Sequence, residues 1–305
     1  MPRPAPVGAR PAHGENDQTR GILVLLLAIF LFTLMDATAK YLGQYYPVPQ
    51  VVWARYMGNF VVVAIYFRTS FVPSLRSRQP GLQFLRALTQ LASASLFFTS
   101  LQYIGIAEAT AIMDINPVLI TLGAGLFLGE YIGWRRILGI IAALIGAMII
   151  IRPGMGVFHP AAILPLIGAF TYAAGALLTR VVRTDGLATS VVWSVLVGTI
   201  ATSLLVPFFW QPIQMEHLWA FLIIGLLGAV SQALIVYAFS LAEAGAIAPF
   251  GYTSLIWAAL WGWLFWGVFP DQWTVIGAVI IVVAGLYIWS RENMTARKEA
   301  HQHER

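Results

Sequence analysis

Apolar runs about twenty residues long, parted by short polar breaks, recur along this chain from residue 21 to residue 290. Twenty helical residues rise about 30 Å, which is the thickness of a bilayer's hydrocarbon core. The pattern predicts ten membrane-spanning helices near 21–42, 48–67, 82–103, 106–128, 135–152, 161–180, 188–209, 218–239, 244–267 and 273–290. The third and fourth runs, and the eighth and ninth, are almost continuous. Short turns are expected at Ile104-Gly105 and Ala244-Gly245.

Charge gives these runs a direction. Fifteen of the 18 Lys and Arg fall in the N-terminal tail, in alternate connections or in the C-terminal tail, all on one side of a ten-span chain. Positive residues favour the cytoplasmic face, so both termini are expected there. Arg152 is on the opposite side, and Lys40 and Arg55 lie within spans.

The chain also matches itself. At a shift of 140, Val51-Val52-Trp53 falls on Val191-Val192-Trp193, Gly58 on Gly198 and Lys40 on Arg180. At a shift of 135, Ile106-Ala107-Glu108-Ala109 falls on Leu241-Ala242-Glu243-Ala244. Two copies of five spans follow. Five is odd, so the second copy must cross the membrane upside down, a recurrent plan of secondary transporters. The expected organisation is a disordered cytoplasmic tail over 1–20, repeats over 21–152 and 161–290, and a cytoplasmic tail over 291–305.

Composition narrows the classes. Hydrophobic residues make up 59% and charged residues 10%, against roughly 25% charged in a soluble domain. The positive balance follows the topology signal, so no nucleic-acid partner is expected. Cysteine is absent, and the five histidines fall outside the apolar runs. No cofactor, metal site or buried histidine relay is therefore expected, and neither a nucleophile–base constellation nor a Walker loop supports an enzyme.

Taken together, the ten spans, the duplication and an ordered set of short motifs resemble the drug/metabolite transporter superfamily, in its EamA-type members. The motifs are Asp36-Ala-Thr-Ala-Lys40, Trp53-Ala-Arg55-Tyr56, Asn116-Pro117 and Leu128-Gly129-Glu130. The resemblance implies a bacterial inner-membrane carrier with a cavity between its halves. Such carriers export amino acids, metallophores or toxic compounds, or take up solutes such as riboflavin or S-adenosylmethionine. Export of a small organic metabolite is the first expectation, and uptake of a vitamin-like or nucleoside-like solute the alternative. One departure is that Gly267-Val268 stands where the first copy has Gly129-Glu130.

Ionisable groups inside spans are the sharpest candidates, because a charge at the bilayer centre costs about 2.5–3.5 kcal/mol on insertion scales. Asp36 and Lys40 are four residues apart and can pair on one helix face. With Arg55 and Tyr56 they form a candidate substrate site, or else the basic pair snorkels to the interface. Asp114 and Asn116 precede Pro117, which frees backbone carbonyls near residue 113 and makes a hinge. Pro249 is the counterpart of Asp114 in the second copy, so the ninth span should be irregular too. Tyr252 and Ser254 follow it as cavity-lining candidates, and Gln232 is a polar group deep in the eighth run. Glu130 is a candidate gating contact. A proton or cation is the expected coupling partner, and the acids Asp36, Asp114 and Glu130, all in the first half, place proton coupling there.

Overall fold

In the computed structural model, residues 15–68, 71–129, 133–152, 159–242 and 247–303 are described, and every regular element among them is helical. The order is α1 (Glu15–Gly43), α2 (Val48–Tyr66), the single turn α3 (Phe71–Ser74), α4 (Pro80–Ser100), α5 (Ile106–Met113), α6 (Asn116–Phe127), α7 (Trp134–Ile151), α8 (Ile163–Val181), α9 (Leu187–Leu205), α10 (Leu218–Leu241), α11 (Ser254–Trp266) and α12 (Gln272–His303). Short 3-10 turns sit between several of them, including Met215–His217 and Ala248–Thr253.

Among the described residues, seven helical segments are long and apolar enough to cross a membrane: Asp17–Gly43, Val48–Tyr66, Ile106–Phe127, Pro160–Val181, Leu187–Phe209, Met215–Leu241 and Gln272–Ser290. Ile137–Ile151 is a shorter apolar helix. The two further runs expected from the pattern are α4, which carries Gln83, Arg86, Thr89 and Gln90, and the short α11. Helix also extends beyond the expected tail limits, since α1 starts at Glu15 and α12 continues to His303.

The two expected irregular stretches are present. Gly105 is extended at the start of α5, with φ −66° and ψ 149°. The fourth run then breaks at Asp114-Ile115, and Pro117 sits in the first turn of α6, where a missing N–H costs nothing. The segment around Pro249 is the 3-10 turn Ala248–Thr253, not α-helix. The expected turn at Ala244-Gly245 lies outside the described residues.

Small residues set how closely the helices approach. The helix pairs α1 with α10 and α4 with α8 both run antiparallel. Gly58 of α2 meets Gly225 of α10 backbone to backbone, and Gly146 of α7 meets Gly277 of α12. Such contacts replace the hydrophobic drive that is missing between helices in lipid. Buried Met35, Leu42, Leu101, Ile112, Ile115 and Ile224 fill the space between them.

Candidate functional site

Polar side chains are few in this bundle, so their partners are informative. Burying a polar atom without a hydrogen bond costs about 1–3 kcal/mol. Among the described residues, Asp36 Oδ1, Arg55 Nε, Asn59 Oδ1, Thr110 Oγ1, Asn116 Oδ1, Tyr252 Oη and Trp257 Nε1 are buried atoms without a protein partner. All of these come from α1, α2, α5, α6, α11 and the turn before α11. Trp289 Nε1 on α12 is a further such atom.

The first group is built on α1 and α2. Asp36 is 4% exposed. The charge acting on it is Arg55, although the two form no ion pair. The Arg55 guanidinium lies over Phe98 of α4 at 5.2 Å and over Phe32 of α1 at 5.7 Å from the ring centroids. Two aromatic faces thus hold the cation by its quadrupole attraction and leave its N–H edge free. Tyr56 is buried with its ring against Gly198 of α9, where any Cβ would collide. Asn59, one turn after Arg55, lies beside Gly228 of α10 and Met35 of α1.

The second group sits at the two irregular segments. Ser254 Oγ donates to Asp114 Oδ2 at 2.9 Å, joining the break between α5 and α6 to the first residue of α11. Tyr252 lies within electrostatic reach of Asp114, with its hydroxyl against Gly285 of α12. Trp257 packs edge-on against Phe30 of α1 at 5.0 Å, and Trp261 Nε1 donates to Thr33 Oγ1 at 3.1 Å. The turn around Pro249 thereby faces the break before Pro117.

Other candidates lie apart from these groups. Lys40 does not pair with Asp36, which corrects the expectation drawn from their four-residue spacing. Its ammonium donates to the carbonyls of Leu101 at 2.5 Å and Ile104 at 2.8 Å, closing the C-terminal end of α4. Gln232 is exposed on α10. Glu130 lies outside the described residues.

Three site residues were missed by sequence reasoning: Asn59, Thr110 and Trp257. Asn59 is four residues from Arg55 and Trp257 three from Ser254, so helical spacing from named candidates would have reached both. Thr110 carries no such signal, because a threonine in an apolar helix ordinarily bonds its own backbone.

Two further polar clusters tie the ends of the bundle. Where α2 begins, Tyr46 Oη accepts from the Gln214 amide and meets His217 Nδ1, both at 3.0 Å. Gln50 exchanges two bonds with the Gln211 backbone, and Trp53 Nε1 donates to Ser203. His217 is 4% exposed, so one histidine outside the apolar runs is nonetheless buried. Beyond the other end of α2, Asp185 accepts from Ser77 Oγ at 2.5 Å, the Arg78 amide at 2.9 Å and Gln83 Nε2 at 3.1 Å. Arg86, read as part of the topology signal, is buried in α4 and donates to Gln83, the Ser190 carbonyl and Ser194. Trp193 Nε1 donates to the Leu75 carbonyl at 3.2 Å.

Known proteins match this chain over nearly its whole length. A riboflavin transporter of Vibrio cholerae is 31% identical, covering 93% of this chain and 98% of the relative. A pseudopaline exporter of Pseudomonas aeruginosa is 27% identical over 87% and 94% of the two chains. A chain of a solved crystal structure shares the fold at 15% identity, with a TM-score of 0.60 over 88% of this chain and 95% of its own. The model of the EamA-like transporter family matches twice, over residues 19–152 and 159–290. This chain therefore belongs to the EamA-like transporter family and is a multi-pass membrane transporter.

Proposed function

We propose that this protein is a secondary carrier of the bacterial inner membrane that moves a small organic metabolite by alternating access. The observation that carries the reading is the set of seven buried polar atoms, among the described residues of α1, α2, α5, α6, α11 and the turn before it, that no protein group satisfies. At about 1–3 kcal/mol each, they would cost on the order of 10 kcal/mol, as much as the whole stability of a typical domain. Polar groups kept at membrane depth mark solute and ion paths.

In this reading ten segments cross the membrane as two inverted copies, with both termini cytoplasmic. Packing between repeat mates supports it. Trp53, at the start of α2, bonds Ser203 near the end of α9, while Trp193, near the start of α9, bonds Leu75 beyond the end of α2. The mates α2 and α9 therefore run antiparallel. So do α7 and α12, since Gly139 lies against Ile288 and Gly146 against Gly277. Partners also exchange: α1 packs on α10 as α8 packs on α4.

Asp36, Arg55, Tyr56, Asn59, Asn116 and Tyr252 contact the solute in this proposal, and Asp114, held by Ser254, carries the coupling proton. Pro117 and Pro249 mark the places where the paired spans bend. The relatives are named for solutes as unlike as riboflavin and pseudopaline, so identity of the solute has to come from this site.

Comparative metabolite profiling of cells and medium, with the gene deleted and restored, tests the reading. A solute that builds up inside deleted cells marks export, and one left in the medium marks uptake. Purified protein in liposomes should then move that solute with saturation. If liposomes with and without the protein take it up equally, the carrier assignment fails.

A further inference from the structure

We infer that the group on α1, α2 and α4 receives an inner salt: a solute with an anionic and a cationic group on one molecule, the anion at Arg55 and the cation at Asp36. This rests on the carrier reading above and names its substrate class. Opposite charges on neighbouring helices in an apolar bundle ordinarily pair, because each left alone bears its full desolvation cost. Here they act on each other but do not pair. Asp36 is 4% exposed with Oδ1 unbonded, and Arg55 Nε is unbonded as well.

Separate supports keep the two charges apart. Phe32 and Phe98 hold the guanidinium over their faces. Asp36 is carried by α1, which packs antiparallel against α10. The guanidinium presents an N–H edge matched to a carboxylate or another oxyanion, and the carboxylate presents an acceptor matched to an ammonium or another cation. Each contact is charge-assisted, and the fork geometry of Arg selects planar oxyanions. Asn59 adds a neutral acceptor one turn from Arg55. A neutral solute leaves both charges unanswered, and a simple anion faces the Asp36 carboxylate.

The test uses the full-length protein purified in detergent and a size-matched metabolite panel in four classes: neutral, anionic, cationic and inner salt. Riboflavin, which carries no net or internal charge, is one of the neutral probes. A ligand that binds the folded state raises Tm according to its concentration over Kd. Inner salts are expected to give the largest shifts, and their N-acylated and amidated derivatives smaller ones. Asp36→Asn should lower affinity for the inner salt about tenfold or more, roughly 1.4 kcal/mol, and turn the preference toward the N-acylated derivative. Arg55→Gln should turn it toward the amidated one.

The inference is overturned if riboflavin or the anions stabilise the wild-type protein best. It is equally overturned if no inner salt stabilises it, or if both variants weaken every class alike. The wild-type ranking decides the matter even where a variant does not fold. Failure of the carrier reading is distinguishable, because inner salts would then bind but show no flux in liposomes. Saturable flux of a neutral solute alone would keep the carrier and remove the inner salt.

Discussion

Adding one methyl group at Gly225 tests how the bundle is held. A Cβ there would lie 2.5 Å from the Cα of Gly58 and 3.1 Å from both the Gly58 nitrogen and the Ala54 carbonyl oxygen. Non-bonded carbons rest about 3.5–4.0 Å apart, so α2 and α10 must separate by about 1 Å. All three obstacles are backbone atoms, and no rotamer change absorbs the methyl. Overpacking of this kind costs about 1–3 kcal/mol. Better helix propensity of alanine returns up to about 1 kcal/mol. Gly228, one turn further along α10, supplies the control. Its added Cβ would lie 3.2 Å from Asn59 Oδ1 and Met35 Sδ, the ends of side chains that can turn away. The propensity gain is common to both substitutions and cancels when the two variants are compared. Thermal unfolding of the detergent-purified proteins should therefore show Gly225→Ala melting several degrees below Gly228→Ala. If Gly225→Ala melts level with or above Gly228→Ala, the backbone contact between α2 and α10 does not limit their approach and the argument fails.

Replacing Lys40 by Met should unfold the protein at lower temperature by removing a charged donor from the Leu101 and Ile104 carbonyls, worth about 1.5–3 kcal/mol for each bond to a charged group. The solute preference of the variant should stay unchanged, and a change in ranking across the metabolite panel would place Lys40 in the site instead. Asp114→Asn should keep exchange of solute across liposomes but abolish accumulation driven by a pH gradient; intact gradient-driven accumulation would remove Asp114 as the proton carrier. In the connection before α9, the Ser77 hydroxyl, with the Arg78 amide and the Gln83 side chain, holds the Asp185 carboxyl below the usual carboxylate range. Its stabilising share is therefore full above the unfolded value of about 3.9 and is lost as pH falls through the lowered folded value. The Tm gap between wild type and Asp185→Asn should stay level from neutral pH down to about 5 and close at more acidic pH; a gap that ignores pH would show that Asp185 contributes no charge-dependent stability.

The helical plan was legible because apolar run length is a direct consequence of bilayer thickness, and because Pro117 and Pro249 announce their own breaks. Asp36, Arg55 and Asp114 stood out because charge inside an apolar run is rare enough to demand an explanation. What could not be read was partnership. Lys40 finds carbonyls 61 and 64 residues away in sequence, whereas its spacing from Asp36 suggested the local pair. His217 looked like a connection residue and is buried, since the fold of the turn before α10 brings it against Tyr46. Arg86 has the same history: a basic residue at the edge of a run reads as a topology signal until α9 supplies Ser190 and Ser194. Neutral orphans such as Thr110 give no contrast at all in a sequence of mostly apolar residues.

In the proposed carrier, the polar cluster around the start of α2 and the one beyond its end bear on energy conservation. The helix itself is nineteen residues long, about 28 Å, and both clusters are fastened at once. Unfastening either end breaks several hydrogen bonds worth about 0.5–1.5 kcal/mol each. A state a few kcal/mol uphill is occupied about 0.1–10% of the time. Were the two ends independent, both would stand open together for the product of two such fractions. In the carrier proposed above, an idle molecule would short-circuit a coupling-ion gradient very little, and a solute would have to supply binding free energy before either end opens.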